Sequence, residues 1–171
     1  MFIDEAGITT RMTRLYARAP KGQRALGTVP CGSWRRLTLL GALGCDGVVA
    51  AMSVEAATST PVFLAFIEQG LIPELRRTEP GAIVVMDNLS PHKVAAVREA
   101  LEAAGFTPLY LPRYAPDLSP IEPMWSKVKT LLRARAARSV EALTDALAPV
   151  IDAVTAQDAH GWFRHCGYAL N

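Results

Sequence analysis

One stretch constrains the fold more than any other: Ala82-Ile83-Val84-Val85-Met86, an uninterrupted apolar run that ends in Asp87-Asn88. A short apolar run without polar alternation reads as a strand covered on both faces, and such a strand needs parallel neighbours and helices packed across them. Asp87 then stands at the carboxyl end of the strand. A carboxylate there is costly unless a cation or hydrogen bonds meet it, although a turn or helix-capping role would also explain it.

The rest of the chain supplies the neighbours that this strand requires. Met1-Phe2-Ile3-Asp4 reads as a short first strand ending in a second carboxylate. From Thr9 to Gly32 follows a basic stretch without sustained period, taken as a long functional loop. The segments Leu37–Leu43 and Val48–Val54 flank Asp46-Gly47 and predict a hairpin. Thr60-Pro61 reads as an N-cap with an N1 proline. Phe63, Phe66, Ile67, Leu71 and Leu75 then recur at helical spacing as far as Pro80-Gly81. Pro91 opens a second helix through Val94, Val97 and Leu101 to Gly105, and Phe106 to Leu111 gives another strand. The loop Pro112 to Leu118 is stiffened by Pro112 and Pro116, and the remainder, including 140–154 and 158–168, reads as helical. The order predicts an α/β fold, a mixed sheet with helices on its faces, in which ligands gather at the carboxyl ends of parallel strands.

At 171 residues and 50% apolar composition, the chain is long enough for one core, and a single domain is expected. The formal charge of +2 matters less than its distribution, because Lys127, Lys129, Arg133, Arg135 and Arg138 crowd one segment and suggest a polyanion partner. Cys31, Cys45 and Cys166 match neither a zinc spacing nor an even disulfide framework, which fits a reducing cytoplasm. No apolar run approaches the roughly 20 residues needed to span a bilayer, so no membrane association is expected.

A third carboxylate completes a set. Ser119-Pro120-Ile121-Glu122 has the form of a capping box, which by itself accounts for a glutamate at that position. Ile121, Trp125, Val128 and Leu132 form the buried stripe of the helix that follows, and Glu122, Ser126, Lys129 and Arg133 line the adjacent face. One face thus carries an acid followed by two cations, an arrangement that can hold a metal and take successive phosphates, although a solvated surface stripe reads the same in sequence. In-line displacement at a phosphodiester needs negative charge stabilised on both the attacking and the leaving oxygen. Two divalent ions held by a few carboxylates provide that.

Five stretches together resemble the insertion-sequence branch of the mariner-type DDE transposases: Phe2-Ile3-Asp4-Glu5; Arg18-Ala19-Pro20-Lys21-Gly22-Gln23; Val84-Val85-Met86-Asp87-Asn88 with Pro91-His92-Lys93; Leu111-Pro112-Arg113-Tyr114-Ala115-Pro116-Asp117-Leu118; and Ser119-Pro120-Ile121-Glu122-Pro123-Met124-Trp125. The 34 residues between Asp87 and Glu122 match that family's spacing. The resemblance implies a ribonuclease-H-like fold, a mixed five-stranded sheet flanked by helices, with Asp4, Asp87 and Glu122 as catalytic residues and metal ligands. It implies two Mg2+ ions, with Mn2+ able to substitute, and DNA as partner, both transposon ends and target, with TA as target dinucleotide. Lys21, Arg113, Lys129 and Arg133 are the candidate DNA contacts, and a dimer on DNA is implied. Such transposases carry helix-turn-helix modules ahead of the catalytic domain, whereas here the first acid is residue 4. The expectation is therefore one catalytic domain over residues 1–171 with that module absent. It is either the downstream half of a protein split between overlapping frames, with an upstream helix-turn-helix partner, or a truncated copy. The expected location is the bacterial cytoplasm, with nucleoid association during action.

Two other functions stay open at this stage: a ribonuclease-H-like nuclease or resolvase that cuts without joining, and an inactive DNA-binding remnant. His92 reads as a capping or surface residue rather than a catalytic one, Trp125 as core, and Arg11, Arg14, Arg18, Lys21 and Arg24 as either a polyanion contact or a solvated basic loop.

Overall fold

The computed structural model describes residues 1–170 and, at 90 and 91, the backbone alone. Its strands are β1 (Phe2–Thr9), β2 (Arg36–Gly44), β3 (Gly47–Val54), β4 (Ile83–Met86) and β5 (Thr107–Tyr110), forming one mixed sheet in the order β3-β2-β1-β4-β5. The predicted hairpin is present: β2 and β3 are antiparallel and Gly47 takes a φ of 128°, which a side chain would resist. β1 pairs antiparallel with β2 along its whole length, whereas β4 runs parallel to both β1 and β5.

The first strand is longer than the sequence suggests. It continues to Thr9 because its even residues Phe2, Ala6 and Ile8 and its odd residue Ile3 are all buried, each set against a different layer. Asp4 therefore sits within β1 rather than at its end. It is nevertheless open to a neighbouring cleft, because β4 pairs with β1 only at Phe2, opposite Val85.

Helices cover both faces. On one side lie α1 (Thr60–Ala65), a π-helical segment (Phe66–Leu71), α2 (Ile72–Thr78) and α3 (Ala95–Ala103). They bury Phe63, Phe66, Leu71, Leu75, Val97 and Leu101 with Ile3, Val84 and Met86. Burial of each such side chain stabilises the fold by about 1.5–3 kcal/mol. The N-cap of α1 is Ser59 rather than Thr60, without a side-chain capping bond. The run from α1 to α2 is the single helix expected, but it widens to π geometry just ahead of Pro73, whose ring nitrogen has no hydrogen to donate.

On the other side lie α4 (Ile121–Arg135), α5 (Val140–Asp145), α6 (Leu147–Ile151) and α7 (Ala156–His165). Ile121, Met124, Trp125, Val128 and Leu132 of α4 are buried there, the expected stripe plus Met124. The long C-terminal helix breaks into α5 and α6, and the capping box of this layer belongs to α7. There Thr155 Oγ1 accepts from Asp158 N, while Asp158 Oδ2 accepts from Thr155 N. Residues 10–35 between β1 and β2 form the long basic loop, largely exposed. Among the described residues no helix is long and apolar enough to cross a membrane.

Candidate active site

Asp4, Asp87 and Glu122 come from β1, the end of β4 and the first turn of α4, and all three line one cleft of about 500 Å³. The sheet brings the first two together because β1 and β4 are parallel neighbours at its centre. Packing of α4 across β1 delivers the third, with Trp125, one turn after Glu122, buried in that layer.

The expected capping box at Glu122 does not form. The N-cap of α4 is Pro120, no side chain caps the helix, and Glu122 N bonds instead to the carbonyl of Ser119. A proline at the cap position has no side-chain acceptor, so Ser119 stands one residue too early. The carboxylate of Glu122 is thus exposed toward the cleft, and the structural explanation that rivalled a chemical role is removed.

Asp4 and Asp87 are held differently. Asp4 Oδ2 accepts a hydrogen bond from Trp125 Nε1 at 3.1 Å, so Trp125 is both a core residue, as expected, and a partner of the acid. The indole reaches this place because β2 has a glycine opposite Asp4: a Cβ at Gly41 would stand 2.7 Å from Trp125 Cη2. Burial, reinforced by the charges of Glu122, Glu5 and Asp87, pushes the Asp4 carboxyl from 3.8 up to about 7.

Asp87 stays charged. Burial alone would raise it, but His92 and the backbone N–H of Leu89, which donates to Oδ1 at 3.0 Å, outweigh that and hold the carboxyl below its usual range. His92 corrects the sequence reading, in which it was a capping or surface residue. It lies in a 3-10 turn (Ser90–Lys93) ahead of α3, which begins only at Ala95 because Val94 is extended. Its ring is fully buried and stacks on Phe63 with centroids 4.2 Å apart.

The imidazole bridges two acids. Nε2 lies 2.8 Å from Glu5 Oε2, and Nδ1 lies 2.5 Å from Asp87 Oδ1. That second approach is out of line with the ring N–H, so it is an ionic contact rather than an aligned hydrogen bond. Burial would lower the histidine, yet the two carboxylates raise it from 6.5 to about 9. Glu5, adjacent to Asp4 in sequence, points to the opposite face of the sheet and belongs to this histidine rather than to the acid set. The sequence signal that could have found the pair was the position of His92, five residues after Asp87 and past a proline, where a turn folds back on the strand end.

The donor set in the cleft is hard carboxylate oxygen, the chemistry that magnesium or manganese takes. Among the described residues no three acidic, histidine or cysteine side chains stand close enough to hold one ion as they are. Asp4 is raised chiefly by burial and further by the charges of Glu122, Glu5 and Asp87, and a cation in the cleft would relieve that repulsion. Of the candidate DNA contacts, Arg113 lines the cleft. Lys129 and Arg133 follow Glu122 along α4 and are half-buried. Lys21 lies in the exposed β1–β2 loop, outside the cleft lining.

A sequence profile of the DDE superfamily endonucleases matches residues 1–144. No curated protein matches the chain. Among solved structures, the Mos1 transposase paired-end complex with left transposon end superposes with a TM-score of 0.78 at 21% identity, over 96% of this chain and 51% of that one. The Mos1 mariner paired-end complex with Mn gives 0.76 at 20%, with the same coverage. The catalytic domain of Mos1 mariner transposase gives 0.67 at 19%, over 96% of this chain and 74% of that one. The chain thus spans about half the length of the transposase in the paired-end complexes, and the shared fold is the ribonuclease-H-like sheet flanked by helices. With the profile covering most of its length, the chain belongs to the DDE superfamily endonucleases.

Proposed function

We propose that this chain is the catalytic domain of a mariner-type insertion-sequence transposase, which cuts DNA at the element's ends and joins the freed ends to target DNA. The observation that carries this reading is the convergence of Asp4, Asp87 and Glu122 from three separate elements on one cleft. Likeness to Mos1 structures described as bound to a transposon end and to Mn supports DNA and a divalent ion as partners.

Asp4, Asp87 and Glu122 hold the ions in this reading. When bound, two magnesium ions, or manganese in their place, neutralise charge on the attacking and leaving oxygens. Trp125 orients Asp4, and His92 keeps Asp87 ionised and fixed. Arg113 meets phosphate at the mouth of the cleft, Lys129 and Arg133 take phosphates further along α4, and Lys21 reaches DNA from the β1–β2 loop. Water attacks a phosphodiester at the element end, the bond to the 3′ oxygen breaks, and a 3′ hydroxyl and a 5′ phosphate result. That hydroxyl then attacks a target phosphodiester and expels the target's own 3′ oxygen. The protein acts as a dimer on DNA, with end recognition supplied by a helix-turn-helix module.

The test is strand cleavage of transposon-end DNA in magnesium, with the domain joined to any upstream frame, comparing wild type with Glu122→Gln. Cleavage by wild type and its loss in the variant support the reading. Equal cleavage by both makes Glu122 structural and the active site wrong. Cleavage without joining to a second duplex favours a nuclease, and binding without cleavage favours a remnant.

A further inference from the structure

Tyr114 has no structural reason to be where it is. Its side chain is completely exposed, and its backbone has a φ of 58°, in the left-handed region. A residue with a Cβ is disfavoured there, the more so when bulky, and an exposed ring recovers nothing from the fold. Among the described residues only Ala136 shares this conformation without being glycine, and its case is ordinary. It ends α4, with its N–H bonded to the carbonyl of Leu132.

The segment that presents Tyr114 is nonetheless rigid. Pro112 and Pro116 fix the backbone on either side. Leu118 N bonds to Ala115 O and Ser119 N to Pro116 O, closing a 3-10 turn (Pro116–Leu118) directly after it. Tyr168, from beyond α7, donates its hydroxyl to Leu118 O at 2.8 Å, and Leu111 N at the other end bonds to Met86 O. A rigid frame thus holds an unsupported aromatic ring at the rim of the cleft that contains the three acids, beside the exposed guanidinium of Arg113.

Backbone strain that the fold does not use is characteristic of residues that meet a ligand. An exposed ring next to a cation, on the rim of a cleft for phosphodiester, has the chemistry of a base-stacking platform. The cation takes a phosphate, and the ring face takes a base of any identity. We propose that Tyr114 stacks on a nucleobase displaced from its neighbours next to the phosphodiester at the three acids, holding the strand in place for the reaction. The inference rests on the transposase reading and names a contact within it; the ring, not the hydroxyl, does the binding.

The experiment uses the domain joined to any upstream frame, with a fluorescent transposon-end duplex, first in calcium to read binding and then in magnesium to read cleavage. Tyr114→Ala is expected to weaken binding about 5- to 100-fold, while Tyr114→Phe and Tyr114→Trp stay within about twofold of wild type. Duplexes with an abasic site stepped through the nucleotides flanking the cut identify the base. At one position the difference between wild type and Tyr114→Ala disappears, because the ring has nothing to stack on. Tyr114→Gly is the folding control, with a thermal midpoint expected about 2–4 °C above wild type as the strain is removed.

The proposal is overturned if Tyr114→Ala binds and cuts like wild type, or if its defect persists at every abasic position. The latter would mean that the ring contacts protein, such as a second copy. Failure of wild type to bind the duplex overturns it too. Asp87→Asn run alongside separates the two readings: if that variant still cuts, the acid site is wrong, whereas the calcium binding data judge Tyr114 independently.

Discussion

Asp4 and Asp87 stand on neighbouring parallel strands and face one cleft, yet the protein treats them oppositely. Asp4 is half-buried against α4, its one side-chain hydrogen-bond partner among the described residues is a neutral indole, and its carboxyl is pushed up to about 7. Asp87 is more open, touches an imidazole flanked by a second acid, and is held below the usual range. A neutral donor orients a carboxylate without compensating its charge, whereas a cationic ring does both. Near neutrality one acid is therefore ionised in advance and the other only in part, so an arriving cation displaces the proton that remains. Binding of metal to this cleft should release a proton and tighten as pH rises through about 7.

The largest expected effect erases the contrast. Asp87→Asn, or Glu122→Gln on the third element, should lower strand cleavage by on the order of 10³-fold or more with the fold retained, read in a magnesium assay beside circular dichroism. Residual activity within tenfold of wild type would remove these acids from the chemistry.

Next in size is the imidazole. His92→Phe preserves the ring stacked on Phe63 but removes both nitrogens, and should weaken Mn2+ affinity and cleavage about 10- to 100-fold, with His92→Gln recovering part. Manganese affinity measured by paramagnetic resonance, unchanged in His92→Phe, would reduce His92 to a packing residue.

Stability sharpens the contrast by sign. In metal-free protein the proton on Asp4 is held to about 7 when folded but only to 3.8 when unfolded, so stability falls as pH rises between those values. His92, raised from 6.5 to about 9, contributes stability that is complete below 6.5 and lost as pH rises through 9. At pH 8 without metal, Asp4→Asn should thus stabilise the protein and Asp87→Asn destabilise it, each by about 1–3 kcal/mol in denaturant unfolding. Shifts of the same sign would show that the two environments do not differ as described. Gly41→Ala should destabilise by a comparable 1–3 kcal/mol or so through its clash with Trp125, and loosen Asp4 without touching Asp87.

The smallest effect is the control. Thr155→Ala breaks the capping box of α7, far from either acid in the chain, and should lower stability by about 1 kcal/mol with cleavage unchanged. A loss of activity there would mean that the C-terminal layer feeds into the site.

Much of this was legible in sequence because it is written locally. The apolar run before Asp87, the turn at Asp46-Gly47 and the stripe on α4 each depend on periodicity or backbone preference over a few residues. The misreadings share a different cause. The box at Ser119-Pro120-Ile121-Glu122 had the right letters, but the helix began one residue later than the pattern required, leaving proline at the cap. His92 looked like a surface residue at a helix start because its partners, Glu5 and Phe63, are remote in sequence. The extent of β1 was hidden because β2, which pairs with it through Thr9, lies beyond a loop of residues 10–35.

The sequence by itself determined which residues could carry charge into an apolar strand end, where the chain had to turn, and which helix face had to be buried. Those choices follow from side-chain chemistry and short-range backbone sterics. Only the tertiary structure decided that Asp4 meets an indole and Asp87 an imidazole, that Glu5 serves the histidine rather than the cleft, and that Glu122 is free of a capping role. The electrostatic state of an acid depends on which groups are packed within a few ångströms of it, and here those groups arrive from strands and helices on both faces of the sheet.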